Sequence, residues 1–210
     1  MIERVPVADV FEENCYFYVD PATRQGFVID PGAEAEKIYG LIRRNNLDIQ
    51  AILLTHGHFD HTGAVRELHE RLGIPYYISA PGQQYLLDPA LNLSAECGRH
   101  VVLTEAGFFN DGDFINVPGN PEFGLQVIAT PGHTPDSVTF YSPVDSLAFV
   151  GDAIFLGSPG TAQFPGGDEP LLISSIINKI LRLPDDTALY SGHTLPTSVE
   201  REKPHYRGRF

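Results

Sequence analysis

The 210-residue chain has no tryptophan, one methionine and two cysteines, and its 14 lysines and arginines are outnumbered by 27 acidic residues. Two cysteines are too few for the disulfide framework of a small secreted fold, and Cys15 and Cys97 form no Cys-x-x-Cys pair, so both are expected free. Cys15 lies in the apolar run Cys15-Tyr16-Phe17-Tyr18-Val19, the setting of a buried thiol rather than a reactive one. No apolar stretch approaches the roughly 18 residues of a membrane-spanning helix. The start, Met1-Ile2-Glu3-Arg4-Val5-Pro6, carries an acid and no long hydrophobic core, unlike a secretory signal, and a cytoplasmic protein is expected. A formal charge of −13 argues against nucleic acid or an anionic membrane as partner, since both require a basic patch. Only the last ten residues run the other way, with four basic and one acidic side chain. Arg201, Lys203, Arg207 and Arg209 there read first as a solvated tail, with Arg207 and Arg209 as candidate contacts for an anionic substrate.

What the chain does have is histidine in an unusual density. Behind the apolar run Ala51-Ile52-Leu53-Leu54 comes Thr55-His56-Gly57-His58-Phe59-Asp60-His61-Thr62-Gly63-Ala64, three imidazoles and a carboxylate in six positions. His56 and His58, two apart at the end of a strand, can project to one side. Asp60 and His61 fall on the next turn of chain and can reach a second ion. Nitrogen and oxygen donors of this kind suit zinc or iron. A lone histidine would read as a satisfied core or surface residue; four candidate ligands packed behind a buried strand point to metal.

Three later segments repeat the pattern of apolar strand, glycine turn and ligand. Val127 to Gly132 delivers His133, Leu147 to Gly151 delivers Asp152, and Ala188 to Gly192 delivers His193. Polar groups at the mouths of several strands converge on one edge of a sheet. All seven residues are therefore read as ligands.

Between them the sequence predicts a layered α/β protein. Strand-like runs occupy 15–19, 27–29, 51–54, 76–79, 125–129, 138–141, 147–150 and 188–190, rich in β-branched and aromatic residues. Helices are predicted over 35–45 and 62–72, the second ended by Gly73 and Pro75, and a third begins at Asp168-Glu169-Pro170 and stops before Pro184. The segment from Ala80 to Glu96, with two proline-containing turns, reads either as a mobile surface piece or as a packed connection. At this length a single domain over 1–210 is the simplest expectation.

From Asn14-Cys15-Tyr16 and Val28-Ile29-Asp30-Pro31-Gly32, through the His56 motif and Pro131-Gly132-His133-Thr134-Pro135, to Gly151-Asp152, Phe164-Pro165-Gly166-Gly167-Asp168 and Ser191-Gly192-His193, the chain resembles the metallo-β-lactamase superfamily. Within it, the chain is similar to the short, single-domain glyoxalase II-like (hydroxyacylglutathione hydrolase-like) branch. The resemblance implies an αββα sandwich with the metal site at one edge between the sheets. It implies two divalent ions, zinc and/or iron: His56, His58 and His133 on the first, Asp60, His61 and His193 on the second, and Asp152 bridging both. The implied activity is hydrolysis of a small anionic thioester or ester of the S-lactoylglutathione type, by a hydroxide between the ions that Asp60 orients, with Asp60 and Asp152 as the catalytic carboxylates. Lactones and other esters rank behind thioesters. The alternative is an iron-dependent persulfide dioxygenase of the same superfamily, whose relatives use the counterparts of His56, His133 and Asp152. A β-lactamase is disfavoured because Asp152 stands where the common zinc enzymes have a thiolate.

Some positions depart from the branch. Gly160-Thr161-Ala162-Gln163 replaces a Gly-Arg-Thr-Asp run, Thr194 replaces glycine, and Asp136 replaces glycine, either filling a strained turn or touching the metal pocket. No segment corresponds to the helical C-terminal domain that binds glutathione in full-length glyoxalase II. His69, His100 and His205 lack ligand spacing and read as structural or solvated.

Overall fold

A computed structural model describes residues 1–206 and 208. The first half of the chain builds one six-stranded sheet in sequence order: β1 (Ile2–Ala8), β2 (Glu12–Val19), β3 (Gln25–Ile29), β4 (Asp48–Leu53), β5 (Tyr76–Ser79) and β6 (Gly107–Phe109). β1, β2 and β3 pair antiparallel, and β3 to β6 pair parallel. The second half supplies β7 (Phe114–Val117), β8 (Asn120–Ala129), β9 (Val138–Ser142), β10 (Leu147–Gly151), a small hairpin of β11 (Ile154–Phe155) and β12 (Ser158–Pro159), then β13 (Ala188–Ser191) and β14 (Thr197–Ser198). Apart from that hairpin these form a second six-stranded sheet, ordered β14-β13-β10-β9-β8-β7.

Alternation along the strands explains how the sheets stack. In β2, Cys15, Phe17 and Val19 face one cluster while Tyr16 and Tyr18 face another; in β4, Ile52 and Ala51 divide the same way. Strands buried on both faces read as continuous apolar runs, which is why these segments looked uniformly hydrophobic. The inter-sheet cluster joins Tyr16, Tyr18, Phe27 and Leu53 of the first sheet to Phe123, Leu125, Phe140 and Phe149 of the second. Outside the first sheet pack α1 (Ala35–Arg44), through Ile38 and Ile42, and, beyond the four-residue α2 (Phe59–Thr62), α3 (Val65–Leu72), through Val65 and Leu68. After the short α4 (Gln83–Leu87) comes α5 (Glu169–Asn178), which covers the second sheet with Leu172, Ile176 and Ile177; the last α-helix, α6 (Val199–Glu202), adds Val199. The order is helix, sheet, sheet, helix: the expected αββα sandwich. Among the described residues no helix is long and apolar enough to cross a membrane.

Element boundaries follow local chemistry. The Asp168 carboxylate accepts the Leu171 N–H at 2.9 Å and Pro170 sits in the first turn of α5, as the sequence predicted. Gly73, at φ 66°, ends α3 in the left-handed conformation. The helix expected over 62–72 is instead two, because the Ala64 N–H turns to the Pro31 carbonyl and the chain bends at Gly63. Residues 80–96 are a packed connection. The buried Asn92 donates to the Tyr85 and Val101 carbonyls, and its own carbonyl accepts the Phe59 N–H beside the metal loop.

Candidate metal centre

Each of the seven predicted ligands follows a strand end, and both sheets open those ends on the same side. β4 delivers His56 and His58 and then α2 with Asp60 and His61, while β8, β10 and β13 deliver His133, Asp152 and His193. Two glycines permit the approach. A Cβ on Gly57, between the first two histidines, would lie 2.5 Å from the Tyr85 Cβ. Gly132, at φ 136°, would put one 2.2 Å from the Leu172 backbone of α5, so a side chain there is excluded by both space and conformation.

The first cluster is all nitrogen. His58 Nδ1 lies 3.1 Å from His56 Nε2 and 3.0 Å from His133 Nε2. Behind the cluster, His133 Nδ1 donates to the Thr161 carbonyl at 2.6 Å and His56 Nδ1 meets the Thr55 hydroxyl at 3.1 Å. Those contacts leave the converging nitrogens of His133 and His56 as lone-pair donors, while the outer Nε2 of His58 is buried without a hydrogen-bond partner. Burial holds all three rings below the ordinary histidine range, His58 down to about 3, so they are neutral bases. Nitrogens of a tetrahedral zinc with bonds of about 2.0–2.1 Å stand roughly 3.3–3.4 Å apart, close to the observed spacing.

The second cluster mixes nitrogen and carboxylate. His193 Nε2 lies 3.4 Å from Asp60 Oδ2 and 3.2 Å from Asp152 Oδ2, and His61 Nε2 lies 3.4 Å from Asp152 Oδ1. Asp152 Oδ2 is also 3.8 Å from His133 Nε2, so this carboxylate stands between the clusters. Burial opposes charge on His61 and His193, but Asp152, with Asp30 beside the first and Asp60 beside the second, outweighs it and raises both, His193 to about 10. Burial likewise opposes charge on Asp152 and Asp60, and the facing histidines pull both carboxylates below their usual range. His61 Nε2 and Asp152 Oδ1 are buried without a hydrogen-bond partner, although they face each other. Groups so placed fit a cation between them, and the donor set suits two divalent ions.

The Metallo-beta-lactamase superfamily profile matches residues 8–193. The chain belongs to this superfamily. Among relatives, the hydroxyacylglutathione hydrolase GloC of Haemophilus influenzae is 34% identical over 205 residues, covering 96% of this chain and 94% of the relative. The probable metallo-hydrolase YqgX of Bacillus subtilis is 37% identical over 202 residues, covering 95% and 93%. Among solved structures, the BLEG-1 B3 metallo-beta-lactamase superposes with a TM-score of 0.92 at 35% identity, covering 99% of this chain and 98% of that one. TTHA1623 in a di-iron-bound form follows at 0.83 and 33%, covering 95% and 96%, and ETHE1 from Myxococcus xanthus at 0.80 and 26%, covering 99% and 83%. Family and relatives together place the chain among the metallo-hydrolases of this fold.

Within this metallo-β-lactamase site, the residues behind the ligands were given no role from the sequence, although Asn14 and Asp30 stand in the motifs that carry the resemblance. Asp30, held at φ 49°, accepts the Thr55 N–H at 2.8 Å, the Thr55 hydroxyl at 2.5 Å and His61 Nδ1 at 3.0 Å. One carboxylate thereby orients both the start of the metal loop and a ligand of the second cluster. Asn14 donates to the Ser191 and Thr194 carbonyls, and His193 Nδ1 donates to the Glu12 carbonyl at 2.6 Å, so the start of β2 fixes the last ligand. Glu13 is buried with neither oxygen hydrogen-bonded, 3.8 Å from His61 Nδ1, and burial pushes its carboxyl up. The sequence signals for Asp30 were an acid ending an apolar strand and its place in the motif Val28-Ile29-Asp30-Pro31-Gly32; Glu13 and Glu12 gave none, because a carbonyl contact or a long-range burial has no local pattern.

The departures from the branch acquire physical readings. Asp136 is not in a strained turn. It is buried beneath the metal loop, one oxygen 3.5 Å from where a Gly57 Cβ would stand, and burial pushes its carboxyl up to about 6. Thr161 serves through its backbone carbonyl, and the Thr194 hydroxyl accepts the Leu156 N–H at 3.0 Å. His69 bonds the Ile74 carbonyl and packs edge-on to Tyr76, whereas His100 and His205 are exposed. Arg207 and Arg209 lie outside the described residues.

Proposed function

We propose that the protein is a binuclear metal-dependent hydrolase of small acyl thioesters. His56, His58 and His133 would hold one divalent ion, Asp60, His61 and His193 the other, and Asp152 both, with zinc and/or iron as the metals. The observation that carries this reading is the position of Asp152, whose oxygens face His61 on one side and His193 and His133 on the other. When bound, such ions supply Lewis acidity and a water that ionises near neutral pH.

The chain's own residues do the rest. Asp30 and the Glu12 and Thr161 carbonyls keep His61, His193 and His133 in the tautomers that offer a lone pair inward. Asp60 lines the cavity over the centre, where its carboxylate can orient the attacking water. Among the described cavity residues there is no lysine, arginine or tyrosine to protonate a leaving group. A thiolate leaves without such a donor and an amide nitrogen does not, which favours thioesters.

Two observations support other readings: the BLEG-1 likeness for β-lactam hydrolysis, and the ETHE1 likeness for the persulfide dioxygenase alternative. One experiment separates all three. Metal analysis of the purified protein is paired with assays on thioesters, lactones, phosphodiesters, β-lactams and persulfides, the last with an oxygen electrode. The expected result is close to two ions per chain and thioester cleavage. A single iron that admits no second ion, with persulfide-dependent oxygen uptake, would establish the dioxygenase instead.

A further inference from the structure

The cavity above the centre holds about 310 Å³, at the small end of the 300–1,000 Å³ typical of ligand pockets. Its floor is polar, with His58, Asp60, Asp152 and His193, but apart from Glu12 and Thr161 its walls are apolar. Phe11 comes from the turn between β1 and β2, Leu93 from the packed connection, Phe155 from β11 and Phe164 from the loop before α5. The rings stand against the ligands: Phe164 lies edge-on to His58 with centroids 5.5 Å apart and to His133 at 6.1 Å, and Phe155 edge-on to His193 at 6.0 Å. Phenyl groups thus flank both clusters. Phe11 and Phe164 remain 49% and 41% exposed, and two exposed rings lining one cavity make an apolar patch that a ligand can cover.

Charge points the same way. The one charged wall residue outside the ligand set is Glu12, and among the described residues no lysine or arginine lines the cavity of a chain whose formal charge is −13. A carrier such as glutathione, with two carboxylates, would meet no lysine or arginine among the described residues of these walls. Arg207 and Arg209, the expected anion contacts, lie outside the described residues, and the walls that are described suit an uncharged group.

We infer that the group this site recognises beside the scissile carbonyl is apolar and uncharged, a short hydrocarbon acyl chain held by Phe11, Leu93, Phe155 and Phe164. The inference rests on the hydrolase reading above and narrows its substrate class. The reaction adds water across the acyl–sulfur bond, oxygen to the acyl carbon and a proton to the departing sulfur, giving a short-chain carboxylic acid and a free thiol. No other reactant is needed.

The test is a series of thioesters of one uncharged thiol, from acetyl to hexanoyl, with the hexanoyl group also carried on glutathione. Burial of each methylene raises kcat/KM about fourfold until the cavity is full. The neutral carrier should exceed glutathione by at least tenfold. Phe164→Ala and Phe11→Ala, both at the rim where truncation opens no core, should flatten the chain-length slope. Calorimetry of the metal-loaded protein gives a readout apart from turnover: hexanoate should bind more tightly than acetate and with a more negative heat-capacity change. A flat or falling slope in the wild-type series, or preference for the glutathione carrier, would overturn this inference while leaving the hydrolase reading intact. Absence of cleavage for every member by fully loaded protein would instead overturn that reading.

Discussion

Replacing Asp152 by asparagine keeps the shape of the side chain and removes the charge that it presents to His61, His193 and His133 together. Metal affinity and turnover should each fall by at least tenfold to a hundredfold, the range found even for losses behind the ligands, and titration with a chromophoric chelator measures the first. Asp60→Ala acts more narrowly. It should empty the second position and abolish hydrolysis while the first ion stays, whereas an enzyme working on a single iron would keep most of its rate. Asp136 is a different case, since its cost is paid in the fold. Its carboxyl is held near 6, above the ordinary value of 3.8, so the fold favours the protonated form. That contribution is complete below about pH 4 and is lost as the pH rises through about 6. Asp136→Asn mimics the neutral acid and should stabilise the protein by about 2–3 kcal/mol at pH 7.5, with the gain fading toward pH 4; urea denaturation of both proteins across that range tests it.

The same reasoning at the level of elements turns on how strand ends are locked. Gly132→Ala would drive a Cβ into α5 at its Leu172 backbone, and it should cost more than 2 kcal/mol and displace His133, so thermal melting and metal content should fall together. Asn14→Ala unties β2 from the turn that carries His193 and should weaken the second ion more than the first. These elements were legible to different degrees. The strands ending in ligands were read from sequence with their ends within one residue, because apolar runs stop there at turn residues, but β4 begins three residues and β8 five residues before the expected 51 and 125, where the polar Asp48, Gln50, Asn120 and Glu122 break the apolar run. β1 was not foreseen: Pro6 interrupts its alternation, which an edge strand tolerates because its outer N–H groups need no partner. β6 and β7, three and four residues long at the other edges, carry too little pattern to see. The ligand set was legible because each ligand carries its own local signal, whereas Asn14 and the Glu12 carbonyl act across 177 and 181 residues and Asp30 across 31, where only the fold brings them together.

At the scale of the whole molecule, the negative charge should make rate depend on salt in a substrate-specific way. Raising ionic strength screens repulsion and should increase kcat/KM for an anionic thioester while leaving an uncharged one unchanged. The chain is also laid out as two consecutive halves, one sheet from residues 2–109 and the other from residues 114–198, and four candidate ligands come from the first half and three from the second. Removing metal with a chelator should therefore lower the melting temperature, as loss of any ligand bound only by the folded state does. The layout resembles a book, with the aromatic interior as its spine and the ions as a clasp on the open edge. Undoing the clasp frees the edge without breaking the spine. Amide hydrogen exchange in the stripped protein should accelerate at 55–63, 131–135 and 151–153, the margins of the pages, while the tyrosine-lined centre of β2 stays as slow as before.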